Sequence, residues 1–441
     1  MPVDVAIAGN RIALIRPAVS SGELPSQNYV DGTGKFLIPG LWDAHVHLTY
    51  NPKIGHDVFF PLALAHGITS LRDTGGQLDK LAPAKAIADS DAIAPDLYIS
   101  GPLVDGRKRV YAGQSRGFPN ISIGADNAEI AEAKVDALAA QGVDFIKAYE
   151  MLSPEAFRQL VARARFHNLP VTGHSPLAMT AQQAIEAGIK DMQHLRNLEL
   201  DCVGNRLQLL QERQSVMAED NSEFGGKLRA ALHRMQRAKA VAAQDEGECA
   251  ALIELMKKNN VSQTPTLSIS RFLSRKLYAE KRYQASFRLM PKSVAKGWFK
   301  RASKLSKREP TQQDLAFDNW LMTMVARLNN AGVSILAGTD APIAFLTPGA
   351  SLHEELFMLV EAGLTPLQAI EAATFAPAAF FDLQDQQGSI AVAQKADLVL
   401  LNADPLLDIR NIALIEAVVK DGRLIDRTAL DVYRSAPSQI K

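Results

Sequence analysis

Cysteine is scarce in this sequence. Only two cysteines, Cys202 and Cys249, occur among the 441 residues. Both lie in a region with helical periodicity, and their spacing is not that of a cysteine metal site. Two cysteines also cannot build the disulfide framework of a small secreted protein. The sequence therefore predicts no cysteine metal site and no disulfide framework, which suits a reducing compartment.

Surplus charge and long apolar runs are absent as well. Lysine plus arginine and aspartate plus glutamate both number 48, so the formal net charge is zero. A neutral chain argues against nucleic acid or a membrane surface as a partner. No apolar run approaches the length of a transmembrane helix, and the N-terminus "MPVDVAIAGNRIALI" lacks the features of a signal peptide. We expect a cytoplasmic protein that binds a small molecule, and a homo-oligomer is compatible with the sequence.

The two ends of the chain share a β-rich texture. Residues 2–37 contain the short apolar runs "VDVAIAG", "RIALIRP" and "FLIP", separated by turn residues. Near the C-terminus, "GSIAVAQKADLVLLN" and "ALIEAVVKDGRLID" have the same pattern, with turns at Gly388-Ser389 and Asp421-Gly422. The sequence predicts that residues 1–37 and 388–441 together form a small β-sandwich domain.

Between these ends, short apolar runs alternate with helical segments. The eight candidate strands lie in "GLWDAHVHL", "GITSLRD", "DLYISG", "VDFIKAY", "LPVTGHS", "IKDMQHL", "VSQTPTLSI" and "GVSILAGTD". Strand–helix alternation favours a parallel sheet, and eight units close a (β/α)8 TIM barrel. The sequence therefore predicts an α/β fold with such a barrel over residues 38–387. A long insertion around residues 200–330 is expected, because 145 residues separate His194 from Asp340.

Nitrogen- and oxygen-bearing side chains stand at the ends of several of these strands. They are His45 and His47 on the first strand, Lys147 on the fourth, His174 on the fifth, His194 on the sixth and Asp340 on the eighth. Side chains alternate along a strand, so His45 and His47 share a face and can chelate one ion. A lone His-x-His pair is weak evidence for a metal, but the carboxyl ends of barrel strands meet at one rim. Convergence of all these ligand types predicts a divalent metal site there.

A set of motifs spans nearly the whole chain. The motifs are "PGLWDAHVH", "DFIKAY", "TGHS", "MQHL", "AGTDAP", "HEELFMLVEAGLTPLQAIEAAT" and "GSIAVAQKADLVLLNADPL". As a set they resemble the amidohydrolase superfamily of metal-dependent hydrolases, near its imidazolonepropionase-related and prolidase-like branch. The resemblance implies two divalent ions, with zinc as the default and manganese, cobalt or iron as alternatives. The implied ligands are His45, His47 and Asp340 for the first ion, His174 and His194 for the second, and carboxylated Lys147 as the bridge.

Two of these assignments have alternatives. Lys147 could be an unmodified lysine that neutralises a carboxylate or contacts substrate, and some members of the superfamily lack the bridge and use one metal. Asp340 follows a strand at a position that also suits a helix N-cap.

The resemblance also implies a reaction. Two cations lower the pKa of a bridging water, and the resulting hydroxide attacks an amide carbonyl. Asp340 accepts the proton and passes it to the leaving nitrogen. The expected substrate is small and carries a carboxylate, such as a dipeptide or an N-acyl amino acid. The alternatives are ring opening of a cyclic amide of the imidazolone or hydantoin type, and hydrolysis of an ester, lactone or carbamate. A non-catalytic relative would have lost metal ligands that this chain keeps.

Four more residues lie near the predicted rim. Tyr149 and Arg196 each come two residues after a predicted ligand, so each should point the same way as that ligand. Either could bind a carboxylate or an oxyanion, or be an ordinary rim residue. Asp73 and Asp105 end the second and third strands, and we expect them to tether loops.

The segment of residues 271–308 is basic and aromatic. It holds thirteen lysine or arginine residues and one acid, Glu280. A charged run is most often a solvated face. Because this segment follows the seventh strand, the alternative is a lid or an oligomer contact that favours anionic substrates.

Overall fold

The computed structural model of the chain describes residues 2–18, 29–90, 93–115, 117–272 and 274–439. Residues 1, 19–28, 91–92, 116 and 440–441 of the predicted domains, and residue 273 of the basic segment, lie outside the described residues. The strands are β1 Val3–Ala8, β2 Arg11–Pro17, β3 Phe36–Pro39, β4 Leu41–Val46, β5 Ile68–Asp73, β6 Asp96–Ile99, β7 Leu103–Asp105, β8 Ala112–Ser115, β9 Phe118–Asn120, β10 Ser122–Gly124, β11 Ile146–Ala148, β12 Val171–Gly173, β13 Asp191–Gln193, β14 Ser262–Thr264, β15 Leu398–Leu401, β16 Ile415–Lys420 and β17 Arg423–Ile425.

The helices cover the strands and fill the long insertion. The α-helices are α1 His56–Ala65, α2 Leu78–Ala88, α3 Ala128–Ala140, α4 Pro154–Phe166, α5 Ala181–Ala187, α6 Leu198–Asp201, α7 Arg206–Glu219, α8 Gly225–Ala242, α9 Glu246–Lys258, α10 Leu267–Ser270, α11 Lys281–Phe287, α12 Lys292–Leu305, α13 Gln312–Asn330, α14 Ala350–Glu361, α15 Pro366–Ala372, α16 Phe375–Phe380 and α17 Arg427–Ser435. Short 3-10 helices lie at Leu277–Ala279, Ile343–Phe345, Ile409–Ala413 and Ala436–Gln439. No helix in the described ranges is long and apolar enough to cross a bilayer.

Parallel strands form the centre of this mixed α/β fold. β4, β5 and β6 pair in one sheet, and β10, β7, β11, β12, β13 and β14 pair in that order in another. All these pairings are parallel. Strands β4, β5 and β11 to β14 are buried along their whole length, which is typical of a parallel sheet covered on both faces. The first seven predicted strands of the middle region are thus confirmed as β4, β5, β6 and β11 to β14.

Residues 334–341 lie between β14 and β4. Isolated parallel bridges join Ile335 to β14 and Ala341 to β4. The predicted eighth strand is therefore parallel to its neighbours, but it forms bridges rather than a regular strand. Only glycine fits where it crosses β4, since a Cβ on Gly338 would lie 2.7 Å from the Cβ of His45.

A four-stranded antiparallel sheet combines both ends of the chain. β3 pairs with β15, β15 with β16, and β16 with β17, while β1 and β2 form a separate hairpin. Asp421 and Gly422 have φ of 51° and 75°, as the tight turn predicted between β16 and β17 requires. Of the predicted run "GSIAVAQKADLVLLN", Leu398–Leu401 forms β15, whereas the "GSIAVAQ" part forms no regular strand. Ala393 has a φ of 72°, which interrupts extended backbone there, and an isolated bridge forms only at Lys395.

Helices α3, α4 and α14 lie in "NAEIAEAKVDALAAQ", "SPEAFRQLVARARFHN" and "SLHEELFMLVEAG", three of the segments whose pattern predicts a helix. Asn127 and Ser153 precede α3 and α4, and their side chains accept hydrogen bonds from backbone N–H groups of the first turn at 2.9 and 3.1 Å. Such caps satisfy N–H groups that have no partner inside the helix and so define where it begins. The third predicted strand ends at Ile99 as β6, and Asp105 ends a separate buried strand, β7. The short strands β8 to β10 were not predicted, because this part of the sequence lacks regular apolar alternation.

The basic segment has an apolar inner side and a charged outer side. Tyr278, Tyr283 and Phe287 are buried. The lysine stripe of α12 consists of Lys292, Lys296, Lys300 and Lys304, all exposed. These lysines have no ion-pair partner within the described part of the chain. This arrangement fits a solvated face on α12, and the lid and oligomer-contact hypotheses stay predictions.

The two cysteines form a disulfide, contrary to the expectation of a reduced chain. Cys202 follows α6 and Cys249 lies in α9, and both are buried. They are 47 positions apart in sequence and meet because α6 packs near α9. The expectation failed because the spacing of two cysteines does not show which helices pack together. A disulfide is typical of oxidising compartments, so it counts against the predicted reducing one.

We predict that thiol titration of the denatured, non-reduced protein finds no free thiol. Reduction opens a cross-link that spans 47 positions and should lower the free energy of unfolding by about 2–4 kcal/mol, measured by denaturant titration. The reduced wild type is the matched sample because it keeps both buried side chains. Two free thiols in the untreated protein would contradict the disulfide.

Candidate active site

The predicted ligands lie where parallel strands end. His45 is in β4 and Lys147 in β11, while His47, His174 and His194 directly follow β4, β12 and β13. His194 and Asp340 have φ of 62° and 71°, a left-handed conformation that turns the chain away from the strand direction. Because parallel strands end on the same side of a sheet, these side chains come together at one edge.

The carboxylate of Asp340 is the centre of the first group. Its Oδ1 lies 3.2 Å from Nε2 of His45 and 3.0 Å from Nε2 of His47. Donor atoms of His45, His194 and Asp340 all lie within 4.8 Å of one another. The His174 ring lies 4.9 Å from the His194 ring, measured between centroids. The structure thus brings the four histidines and Asp340 together, and the carboxylate faces histidines rather than the start of a helix.

Three of the histidines are oriented by a hydrogen bond to Nδ1, the ring nitrogen that faces away from the site. Nδ1 of His47 lies 2.9 Å from the Gly75 carbonyl, and Nδ1 of His194 lies 2.5 Å from the Thr266 hydroxyl. Nδ1 of His174 lies 2.5 Å from Oε1 of Glu150. Metal-binding histidines are usually oriented through their second nitrogen in this way. The arrangement leaves Nε2 of each ring directed into the site.

The inner nitrogens fit a metal ion. Nε2 of His174 and Nδ1 of His45 are buried without a hydrogen-bond partner in the described part of the chain, while Nε2 of His45 faces Oδ1 of Asp340 at 3.2 Å. A buried polar atom left unpaired costs about 1–3 kcal/mol. Imidazole nitrogens and a carboxylate are the donors that zinc and similar divalent ions prefer.

Burial sets the charge of these side chains. It lowers the pKa of His45 to about 3 and lowers the pKa of His174 and His194 well below the ordinary value. At neutral pH the three rings are therefore neutral, which is the form that binds metal. Burial alone would raise the pKa of Asp340, but His194 and His45 hold it well below its ordinary range. Asp340 is therefore an anion, and although burial opposes it, the hydrogen bond to this carboxylate raises the pKa of His47, unlike those of the other three rings.

Lys147 is buried beneath this group. Burial lowers the pKa of its amine to about 7. Nζ donates a hydrogen bond to Oε1 of Gln193, whose amide donates to Oδ2 of Asp191 at 3.1 Å. Asp191 in turn pairs with buried Arg72 at 2.7 Å. An ammonium has no lone pair for a metal, whereas a lysine carbamate offers two oxygens.

Three buried carboxylates hold the loops around the site. Asp73 accepts from the N–H groups of Leu48 and Gly75 at 2.6 and 3.1 Å. Asp105 accepts from three backbone N–H groups, including that of Met151 at 2.7 Å. The predicted tethering roles of Asp73 and Asp105 are confirmed. Sequence reasoning missed the third, Asp43, which accepts from the Thr339 hydroxyl at 2.7 Å.

A cationic cluster borders the His174 side and was also missed. It consists of Glu150, Arg196, Arg229 and His233, with Arg229 and His233 supplied by α8 of the insertion. Tyr149 accepts a hydrogen bond from Arg229 at 3.0 Å, and Nε of Arg196 lies 3.5 Å from Glu150. Substrate binding by Tyr149 and Arg196 stays a prediction. The signal in the sequence was the i, i+4, i+8 spacing of Arg229, His233 and Arg237 on one helix face.

Known proteins resemble this chain in sequence and in fold. Ochratoxinase of Aspergillus niger is 25% identical over 426 aligned residues, which cover 85% of this chain and 72% of that protein. The solved structure of a bottromycin amidohydrolase superposes with a TM-score of 0.70 at 21% identity, covering 100% of this chain and 86% of that one. A Xaa-Pro dipeptidase with bound methionine superposes with a TM-score of 0.66 at 17% identity, covering 96% and 95%. These two structural likenesses show a shared fold.

The family match extends over most of the sequence. Residues 36–425 match the sequence profile of the amidohydrolase family. The match begins at β3, includes all the predicted ligands and ends at β17. The chain therefore belongs to the amidohydrolase family of enzymes, as its motifs predicted.

Proposed function

We propose that this protein is a binuclear metal-dependent amidohydrolase that cleaves an amide bond in a small carboxylate-bearing substrate. One observation carries the proposal: four histidine rings and the Asp340 carboxylate converge at one edge of the parallel strands, and Nε2 of His174 is buried there without a hydrogen-bond partner in the described residues. Two divalent ions, with zinc as the default, fit the chemistry of these donors. The proposed ligands are His45, His47 and Asp340 for one ion, His174 and His194 for the other, and carboxylated Lys147 between them.

Carboxylation of Lys147 supplies the bridge in this proposal. The neutral amine attacks carbon dioxide, a nitrogen–carbon bond forms, and one amine proton leaves to solvent. The carbamate keeps one N–H, which Gln193 is placed to accept, since its Oε1 already accepts from Nζ. Gln193 would therefore orient the carbamate.

Asp340 acts as the general base and acid of the proposed reaction. When bound, the metal ions would lower the pKa of a water molecule and polarise the substrate carbonyl. Asp340 takes the proton of the attacking water and delivers it to the leaving nitrogen. Its two histidine neighbours keep the carboxylate in place, and its low pKa keeps it ionised at neutral pH.

The architecture is part of the proposal. We infer that a closed (β/α)8 barrel lies within residues 38–387, formed by β4, β5, β6 together with β7, β11, β12, β13, β14 and residues 334–341. Pairing of residues 334–341 with both β14 and β4 supports closure. Residues 1–37 and 388–441 would form the composite β-sandwich domain, supported by the pairing of β3 with β15. The ligands would then stand on the catalytic rim of the barrel.

The substrate class rests on the cations near the site and on the names of similar proteins. Dipeptides and N-acyl amino acids join an amide to a carboxylate, and the Xaa-Pro dipeptidase with bound methionine is named for such chemistry. Cyclic amides, esters, lactones and carbamates are the competing substrates in a hydrolysis screen. A cytoplasmic location stays a hypothesis, against which the Cys202–Cys249 disulfide counts.

We predict that the protein purified with zinc and bicarbonate holds close to two zinc ions per chain, measured by elemental analysis. Dialysis against a chelator should abolish hydrolysis of N-acetyl-L-phenylalanine, and zinc should restore it. His194→Asn should lower the metal content because it removes an inner nitrogen. His167→Asn, at a histidine that faces Asp136 away from the site, is the control. Full activity after complete removal of metal would refute the proposal.

We predict that Asp340→Asn lowers turnover by about 10²–10⁴-fold, because an amide cannot accept the proton. Asparagine keeps the size and one oxygen ligand, so metal content should fall much less than turnover. Exposed Asp385→Asn is the matched control and should retain both. Near-normal turnover in a metal-loaded Asp340→Asn enzyme would remove Asp340 from the base role.

A further inference from the structure

Helix α8 places Arg229 beside the histidine site, where Glu150 is its only carboxylate partner among the described residues. Its NH1 donates to the neutral hydroxyl of Tyr149 at 3.0 Å. The nearest carboxylate oxygen that pairs with it, Oε1 of Glu150, is 3.8 Å away and already accepts from His174 at 2.5 Å. The guanidinium is therefore close to a proposed metal ligand and has hydrogen-bonding capacity to spare.

The charges around Glu150 do not balance. Glu150 is a buried carboxylate whose Oε1 lies 3.5 Å from Nε of Arg196 and 3.8 Å from NH1 of Arg229. Its remaining near neighbour, His233, is neutral because burial lowers the pKa of that ring well below the ordinary value. Within the described part of the chain, neither arginine pairs with another carboxylate. One negative charge thus faces two positive charges, which leaves one positive charge for an anionic ligand.

Unpaired atoms in the same cluster also point to a missing group. Oε2 of Glu150, Nε of Arg196 and Nε2 of His233 are buried without a hydrogen-bond partner in the described ranges. Buried polar atoms are rarely left unpaired unless a water or a ligand completes them.

An arc of aromatic rings runs from one side of the site to the other. The ring of His47 lies 6.4 Å from that of Tyr50, which lies 6.2 Å from Tyr111. The arc continues from Tyr111 to Tyr149 at 5.8 Å and from Tyr149 to His174 at 4.5 Å. The guanidinium carbon of Arg229 lies 5.7 Å from the centre of the Tyr111 ring. A carboxylate bound at Arg229 would thus sit beside aromatic surface that suits an apolar side chain.

Helix α8 is held firmly enough to position this arginine. A Cβ on Gly225 would lie 2.2 Å from the Lys108 carbonyl, so only glycine lets the helix start this close to the loop after β7. Further along, Arg237 pairs with buried Glu199 at 3.0 Å. Arg229 lies between these two anchors, one turn into the helix.

We propose that Arg229 binds the carboxylate of the substrate and makes the enzyme selective for amides of apolar amino acids over amides that lack a carboxylate. This inference rests on the proposed function and assigns its substrate preference to the insertion helix. Arg229 acts as a specificity residue, and the proton transfer remains with Asp340.

The test compares two substrates that differ only in the carboxylate, N-acetyl-L-phenylalanine and N-acetylphenethylamine. In the zinc-loaded enzyme, Arg229→Gln should raise KM for N-acetyl-L-phenylalanine by about 10–100-fold, the effect of losing a charged hydrogen bond. The same variant should leave kcat/KM for N-acetylphenethylamine within about twofold. Arg229→Lys should recover part of the loss, because it keeps the charge without the planar fork.

Two controls separate this role from a structural one. Arg234→Gln removes the same charge from an exposed position of the same helix. It should leave the KM and kcat/KM of both substrates unchanged. Calorimetry of N-acetyl-L-phenylalanine binding to the Asp340→Asn enzyme, with and without Arg229→Gln, measures the carboxylate contact without turnover. The second change should weaken binding by a similar factor.

The kinetic and calorimetric results decide the role of Arg229. Equal losses on both substrates, or unchanged binding in the calorimetric pair, would overturn the role of Arg229. If the wild type hydrolyses neither compound, the proposed function fails on these substrates, and the calorimetric pair still decides whether Arg229 binds a carboxylate. If Arg229→Gln does not fold, Arg229→Lys decides: a KM unchanged from that of the wild type for the acid would also overturn the proposal.

Discussion

Contact between β4 and residues 334–341 is the constraint on which the candidate site depends. The N–H of Asp340 donates to the His45 carbonyl at 2.7 Å, and the N–H of His47 donates to the Ala341 carbonyl at 2.8 Å. Asp43 adds a side-chain link, because it accepts from the Thr339 hydroxyl at 2.7 Å. Asp340 therefore cannot move away from the two histidines without breaking hydrogen bonds that join β4 to residues 334–341.

That contact brings together polar groups whose burial costs free energy when no ligand is bound. Neutral imidazoles and one carboxylate are buried together, and several nitrogens have no hydrogen-bond partner in the described part of the chain. Proteins retain such arrangements mainly at functional sites, where a bound group satisfies the open valences. Hydrogen bonds to the outer nitrogens of His174 and His194 keep the rings in place before any ligand arrives. The site is in this sense organised in advance, which is what metal binding and catalysis both require.

The sequence predicted what depends on local alternation and missed what depends on packing between distant segments. His45, His174 and His194 could be placed because each stands at the end of a short apolar strand, and parallel strands deliver their ends to one edge. Arg229, 35 residues after His194, could not be placed, because its helix can pack in many places and only the fold selects one. The disulfide was missed for the same reason, since no spacing rule reveals which helices meet. Asp43 lies in the motif "PGLWDAHVH", but nothing in the sequence indicated that its side chain would bind Thr339.

The central claim is that these histidines flank two metal ions with Lys147 between them. Its most direct test is a crystal structure of the protein prepared with zinc and bicarbonate, with anomalous data collected at the zinc edge. The account predicts two anomalous peaks, one in contact with His45, His47 and Asp340 and one in contact with His174 and His194. It also predicts electron density beyond Nζ of Lys147 that touches both peaks. A single peak, or an unmodified Lys147 between two peaks, would contradict it.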